Sequence, residues 1–426
     1  MDMQNRTEEN VIMPLSISLF ADIAFILYFS FRATSTMFGF VLGQGTLANV
    51  LGISLPYLFA AFCILLQPKE YISWDFLCLY GAILLFILVT ALIHPNYIPF
   101  YNRDVYGVWS HVLHPFRGIY SFFFMRLIKQ PKRVLKLMRI AGWIMVLYFG
   151  YQLRLAAVRG YWMGQGRYGA VQMSYSVSFG YEALPFMLVF LYLALTKRKW
   201  FDIAGVILYS SMILVGGSRG PFLFIGEFVI LFIMTKLQYS KKKIIIIVCI
   251  VIVGSLLYLF YDILMQALID IVSKLGFSSR FLKSLVNGSV ANDNGRNEIW
   301  QAALQMIKLN PWGYGAMGSR HMISSVIYVG YPHSIVLEML IDYGVIVGGF
   351  FLMAMAVGSY RILFGPGKNG WSEVFLPFFC SASCLLISMT YWSVPTFWAC
   401  LAIAVNYHIA QNDPYQILYR FLGITQ

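Results

Sequence analysis

The chain has 426 residues, 59% of them hydrophobic and 12% charged, with mean hydropathy +0.71 and a formal charge of +13. Soluble domains run at roughly 45–50% apolar and 25% charged, so the composition excludes a soluble enzyme and describes an integral membrane protein. The basic balance does not point to nucleic acid, because the cations gather in loops at the ends of apolar runs, where topology and lipid headgroups account for them.

Runs close to the ~20 apolar residues needed to cross a bilayer recur along the whole chain, which predicts one all-α polytopic bundle over residues 1–426. No strand-period barrel pattern is present. The head MDMQNRTEEN precedes the first apolar run without a small-residue cleavage site, so that run reads as a span and not a signal peptide. About twelve spans are expected, near 11–31, 46–66, 72–93, 107–128, 139–158, 169–195, 200–216, 220–236, 244–262, 336–358, 373–391 and 395–411. The fourth contains His111, His114, Pro115 and Arg117 and reads equally as a re-entrant segment, which would invert the orientation downstream. Cys63, Cys78, Cys249, Cys380, Cys384 and Cys400 all lie in apolar runs, as small hydrophobes and not as disulfide or zinc residues.

With the N-terminus inside, 18 of the 31 Lys and Arg fall on the inner side and 13 on the outer. Six of the outer 13 lie in the long loop 263–335, which the positive-inside rule exempts. Both termini are therefore expected to be cytoplasmic, and the long loop, with amphipathic helices, on the outer face. The inner set is 11 Lys and 7 Arg, whereas the outer set is 10 Arg and 3 Lys. Arginine grips phosphate oxygens as a planar fork, so an Arg-rich outer face suggests a phosphate-bearing ligand. Scatter and snorkelling at helix ends are the bland alternative.

Several short stretches carry the candidate chemistry. Arg159 and Arg167 belong to RGYWMGQGRYG, an outer loop of Arg-Gly-aromatic character and a candidate substrate groove. Arg219 sits in GGSRGPF, where glycines clear the space around it and Pro221 suits the first turn of the next helix; it reads as an anion cradle or as a hairpin cap. The same string fits G-x-S-x-G, but no strand precedes it. Arg296 opens GRNEIWQAALQMIKL, an amphipathic helix with Ile299, Trp300, Ala303, Leu304 and Ile307 on one face; a salt bridge to Glu298 or Asp293 is the alternative use of that arginine. In NPWGYGAMGSRH the glycines would let backbone amides approach a sugar or phosphate, with Tyr314 as a stacking face and Arg320 as a further cation, or they simply make turns. His333 follows Tyr331-Pro332 at the start of the tenth span, with Glu338 and Asp342 beyond it on the same helix. A histidine there can hold a proton near neutral pH or simply sit at the interface. His94 and His321 are weaker candidates. His111 and His114 have no evident third ligand, and no acidic pair stands in an outer loop, so neither metal nor cofactor is expected.

The motifs SRGPF at 218–222, GR..IW..AL..I..NP.GYG at 295–315 and PHS..LE at 332–338 resemble the signature region of the O-antigen polymerase and ligase superfamily. The resemblance implies a C-type glycosyltransferase-like fold in the bacterial inner membrane. It also implies a periplasmic active site acting on undecaprenyl-pyrophosphate-linked oligosaccharide, without metal or nucleotide sugar. It assigns Arg219 and Arg296 to the pyrophosphate and marks His333 as the family's histidine; the chemistry then leaves His333, aided by Glu338, to orient or deprotonate the acceptor hydroxyl. Many relatives have His-Asn where this chain has His333-Ser334. A polymerase of lipid-linked repeats is favoured, with a chain-length regulator protein as a partner it allows; a ligase to lipid A core is its sibling. A flippase is the reading from another class, motivated by Asp22, Glu182 and Glu227 within apolar runs.

Overall fold

The computed structural model describes residues 15–43, 46–166, 169–173, 176–218, 220–236, 261–274 and 296–411, and these are overwhelmingly helical, as an all-α polytopic membrane protein requires. In order they form α1 (Leu15–Phe29), α2 (Phe31–Leu42), α3 (Thr46–Leu66), α4 (Trp74–Ile93), α5 (Tyr120–Leu127) and α6 (Pro131–Arg159). A hairpin of β1 (Trp162–Gly166) and β2 (Gly169–Met173) follows, antiparallel with Trp162 opposite Met173. Then come α7 (Val177–Lys197), α8 (Trp200–Val215), α9 (Gly220–Lys236), α10 (Tyr261–Lys274) and α11 (Arg296–Leu309). The last four are α12 (Ser319–Ile323), α13 (Ile335–Phe364), α14 (Gly370–Ala382) and α15 (Pro395–Gln411). Within the expected long loop 263–335, α11 buries one face through Ile299, Ala303 and Met306, while 275–295 lie outside the described residues.

The expected twelve spans are not matched helix for helix. Among the described residues five helices are long and apolar enough to cross a membrane, namely Leu47–Leu66, Trp74–Ile93, Pro131–Arg159, Ser178–Lys197 and Ile335–Phe364. The pair α1 and α2 makes a sixth if taken together, but it is bent by 83° at Ser30, whose hydroxyl donates to the Ile26 carbonyl (2.6 Å). The expected fourth span is no continuous helix, because a single wide turn at Trp109–Leu113 gives way to bends around Pro115 and only then to the eight residues of α5. Most of the ninth, 244–260, lies outside the described residues.

α7 is the hub. Leu184, Leu188, Phe190 and Tyr192 are all buried, on different sides of one helix, and a helix that is apolar all round belongs inside a bundle. It packs against α6, α8, α9 and α14, while α1 packs on α3 and α15 on α5 and α14. α4 instead exposes Leu77, Leu85, Leu88 and Leu92, the dress of a helix facing lipid.

The carboxylates within apolar runs have partners. Asp22 pairs with Arg133, Asp75 with Arg126 (2.7 Å), buried Asp202 with Arg139 (3.5 Å), Glu182 with Arg32 (2.7 Å) and Glu373 with Lys236 (2.6 Å), while Glu227 accepts from Ser383 (3.0 Å). Asp22, Glu182 and Glu227, the residues behind the flippase reading, thus serve contacts between helices.

α13 is where the fold is specialised. It is broken at Gly344, with φ 79° and ψ 170°, into a short first segment and a longer second one. In an unbroken helix the Ile341 and Asp342 carbonyls would accept from the amides of residues 345 and 346. Here the loop after α11 takes their place. Tyr314 N–H donates to Ile341 O (2.7 Å), Gly315 N–H to Asp342 O (3.0 Å), and Val345 N–H donates to Pro311 O (2.8 Å). Backbone meets backbone so closely that a Cβ on Gly344 would lie 2.4 Å from the Trp312 carbonyl oxygen, and one on Gly313 2.5 Å from the Gly344 nitrogen. Gly344→Ala therefore combines a left-handed φ with a clash and should destabilise by more than the ~1–2 kcal/mol of the φ alone. Gly349→Ala, whose added methyl meets nothing within 4 Å, should keep the wild-type melting point in detergent. Equal midpoints for the two variants would contradict this account of the break.

Candidate active site

Helix α11 begins with Arg296 and buries Ile299, Ala303 and Met306 against Ile323 of α12 and Ile341 of α13. That apolar face fixes the rotation of the helix, and hence where Arg296 stands at its N-terminal turn. Arg296 makes no ion pair with any described residue, Glu298 included; Asp293 lies outside the described residues. One turn on, the Trp300 indole N–H donates to the Pro332 carbonyl (3.0 Å) and ties α11 to the turn that carries His333.

That turn is strained. His333 has φ 52°, a left-handed conformation that residues other than glycine seldom adopt, and its ring lies 4.6 Å from that of Tyr331. Burial, reinforced by the nearby Arg296 charge, pushes the imidazole down to about 4. At neutral pH His333 is thus an uncharged hydrogen-bond acceptor or donor standing beside a cation.

Under the turn is a buried charge cluster. Arg320, Glu338 and Asp342 are fully or almost fully enclosed. The Arg320 Nε–H donates to the Tyr106 carbonyl (2.8 Å), and its Nη1 is 4.0 Å from Glu338 Oε1. Glu338 Oε1 accepts from the Thr390 hydroxyl (2.6 Å), and Asp342 Oδ2 from the Tyr391 hydroxyl (2.9 Å) and the Trp392 indole (3.3 Å). Both Nη atoms of Arg320, Glu338 Oε2 and Asp342 Oδ1 are buried with no hydrogen-bond partner among the described residues.

The structure distributes the expected site residues unevenly. It brings Arg296 and His333 together. Glu338 faces Arg320 and Thr390, not His333, because it lies inward on the first segment of α13. Arg320 is enclosed, so it is not an open cation for a ligand in this conformation. Tyr314 donates its hydroxyl to the Met306 carbonyl (3.1 Å), and the Tyr314 and Gly315 amides are committed to the break in α13, so the turn-forming alternative accounts for that loop. Arg159 ends α6, exposed, with no hydrogen bond or ion pair to the Arg296 and His333 region among the described residues. Arg167 and Arg219 lie outside the described residues. The flanks of Arg219 are placed: a Cβ on Gly180 would meet Ser218 at 2.7 Å and Pro221 at 3.1 Å, so that turn rests on the first turn of α7. His94 stacks on Tyr97 (4.9 Å), whose ring is 5.2 Å from that of His321.

Residues 204–353 match a family model described as O-antigen ligase. Over this segment the chain is similar to the O-antigen polymerase and ligase superfamily. The match runs from α8 into α13 and takes in Arg296, Tyr314, Arg320, His333 and Glu338, but not Arg159 or Arg167. The match supports the superfamily and does not decide between a polymerase and a ligase. No curated protein and no solved structure matches the chain.

Tyr106, Thr390, Tyr391 and Trp392 belong to the cluster without having been singled out in the sequence. The only signal was three consecutive hydrogen-bonding side chains, Thr390-Tyr391-Trp392, closing an otherwise apolar run. Removing one member of a buried ion pair costs roughly 3–5 kcal/mol, because the other is left enclosed and uncompensated. Arg320→Met alone should therefore lower the melting point markedly, and Arg320→Met with Glu338→Met should recover a large part of the loss. No recovery in the double variant would contradict a pairwise role.

Proposed function

We propose that the chain is a membrane glycosyltransferase that moves glycan from a lipid pyrophosphate to a hydroxyl of a second glycan, most specifically an O-antigen polymerase extending undecaprenyl-pyrophosphate-linked repeats. The observation that carries this reading is Arg296 at a helix N-terminus, with no ion pair among the described residues, beside a neutral His333, both inside the matched segment.

The chemistry asks little of the protein. The anomeric carbon loses a pyrophosphate, already a good leaving group, and gains an acceptor oxygen whose proton must go elsewhere. Arg296, assisted by the α11 N-terminus and, on the motif resemblance, by Arg219, would neutralise charge on the departing pyrophosphate. Arginines can supply the positive charge that a divalent ion supplies elsewhere. His333 would accept a hydrogen bond from the acceptor hydroxyl, hold it in line with the donor and take its proton as the new C–O bond forms and the pyrophosphate departs. Arg320, Glu338 and Asp342 become positioning residues: they brace the turn that bears His333 from beneath. In this reading the site opens on the periplasmic face of the inner membrane, and a chain-length regulator is a fitting partner.

A ligase is the second reading, favoured by the description of the matched family. It would use the same donor site with lipid A core as acceptor. Purified protein given a lipid-linked repeat in EDTA should yield a ladder of lengthening glycans; transfer only when lipid A core is added would identify the ligase, and inertness toward both would sink both readings.

Arg296→Ala and His333→Ala should each lower turnover by about 10²–10³ with the fold intact. The pH dependence has a sign. His333 acts neutral, so activity is lost as pH falls through its pKa. In kcat/KM, which reports the free enzyme, that acid limb should lie near 4. In kcat it should lie higher, because a bound pyrophosphate favours the imidazolium. Coincident limbs would place the pyrophosphate away from His333. The same shift affects stability: the unfolded state binds the proton more readily, so stability rises with pH between about 4 and 6.5 and is complete above that window.

A further inference from the structure

The segment between α4 and α5 is held on all sides without being a helix. The Tyr106 carbonyl accepts from Arg320 (2.8 Å), the Leu113 carbonyl from Tyr120 (3.2 Å), the Pro115 carbonyl from Tyr57 and the Arg117 carbonyl from Tyr28 (3.0 Å). The Phe116 ring stacks on Phe31 at 3.5 Å with 14° between planes, and the charges of the residues that follow them, Arg117 and Arg32, reach one another. The backbone of Arg117 is thus fixed while its guanidinium has no ion pair among the described residues, where its Nε is buried with no hydrogen-bond partner. Among the described residues Glu182 is the one carboxylate whose charge reaches it, and Glu182 is engaged by Arg32 at 2.7 Å. Two guanidiniums and one carboxylate leave a positive charge in a partly enclosed spot, which is the electrostatic requirement for an anion.

Arg117 is not adjacent to His333. Two rings lead from His333 toward it: Tyr331 lies 4.6 Å from His333 and Tyr106 6.1 Å from Tyr331, and the Arg117 charge reaches Tyr106. Cations at the two ends of an aromatic bridge suit two phosphate-bearing substrates whose sugars meet over the rings. We propose that Arg117, supported by Arg32, forms a second phosphate-binding subsite that takes the pyrophosphate of the acceptor, distinct from the subsite at Arg296 and His333. The proposal rests on the reading of that first subsite as the donor's.

The test counts binding sites on the full-length protein in detergent by calorimetry, with farnesyl pyrophosphate as a short-chain probe. Wild type should bind two equivalents. Arg117→Gln should lose one, weakened on the order of tenfold or more as expected for a charge-assisted contact, and should leave the other within about twofold. Arg296→Gln should lose the other. Should Arg117→Gln fail to fold, Arg117→Lys, which keeps the charge but not the fork, should still weaken one equivalent selectively. Two unchanged equivalents in Arg117→Gln would overturn the proposal. So would a single equivalent lost in both variants, since Arg117 would then belong to the Arg296 subsite. A single equivalent lost in Arg117→Gln alone would sustain the Arg117 subsite and sink the donor reading at Arg296. Inorganic pyrophosphate should compete for the Arg117 equivalent; displacement by phosphatidylglycerol nanodiscs instead would mark a lipid-headgroup site and overturn the assignment to substrate.

Discussion

The break in α13 is the constraint on which the site depends. A helix interrupted within an apolar environment strands carbonyl groups that neither water nor lipid can satisfy. The chain solves this by inserting the Pro311–Gly315 loop, whose amides meet the stranded Ile341 and Asp342 carbonyls. That insertion fixes α11 against α13, and the Trp300 bond to Pro332 then fixes the turn of His333 over α11. Arg296 and His333 come together because a backbone hydrogen-bonding problem has one compact solution here.

The cations divide into two populations. Arg126, Arg133, Arg139 and Lys236 each pair with a carboxylate and hold helices together. Arg296 and Arg117, both from the set expected on the outer face, have no such partner among the described residues. Arg320 lies between these cases, enclosed and paired at only 4.0 Å. In a low-dielectric setting a bridged pair is structural, whereas a guanidinium without its counter-charge is poised for an anion.

Much of this was legible in the sequence, and the failures have physical causes. Arg296 and His333 were legible because an amphipathic helix start and a Pro-His helix entry are local patterns. Arg320 and Glu338 were legible as chemistry but not as partners, since their enclosure depends on Thr390 and Tyr106, far away in the chain. The glycines of NPWGYG were visible as close approach, yet what approaches is the backbone at Gly344. The twelve expected spans are not matched one for one among the described residues, since hydropathy registers apolar length and not continuity: 107–128 is oily throughout but is broken by its own turns.

The most direct measurement is an electron cryomicroscopy map of the protein in nanodiscs with a lipid pyrophosphate bound. The account predicts pyrophosphate density at the N-terminus of α11, within hydrogen-bonding distance of Arg296 and His333, with the Pro311–Gly315 loop still inserted at Gly344. Density buried midway along the bundle, away from both residues, would contradict it and restore a transport path as the better reading.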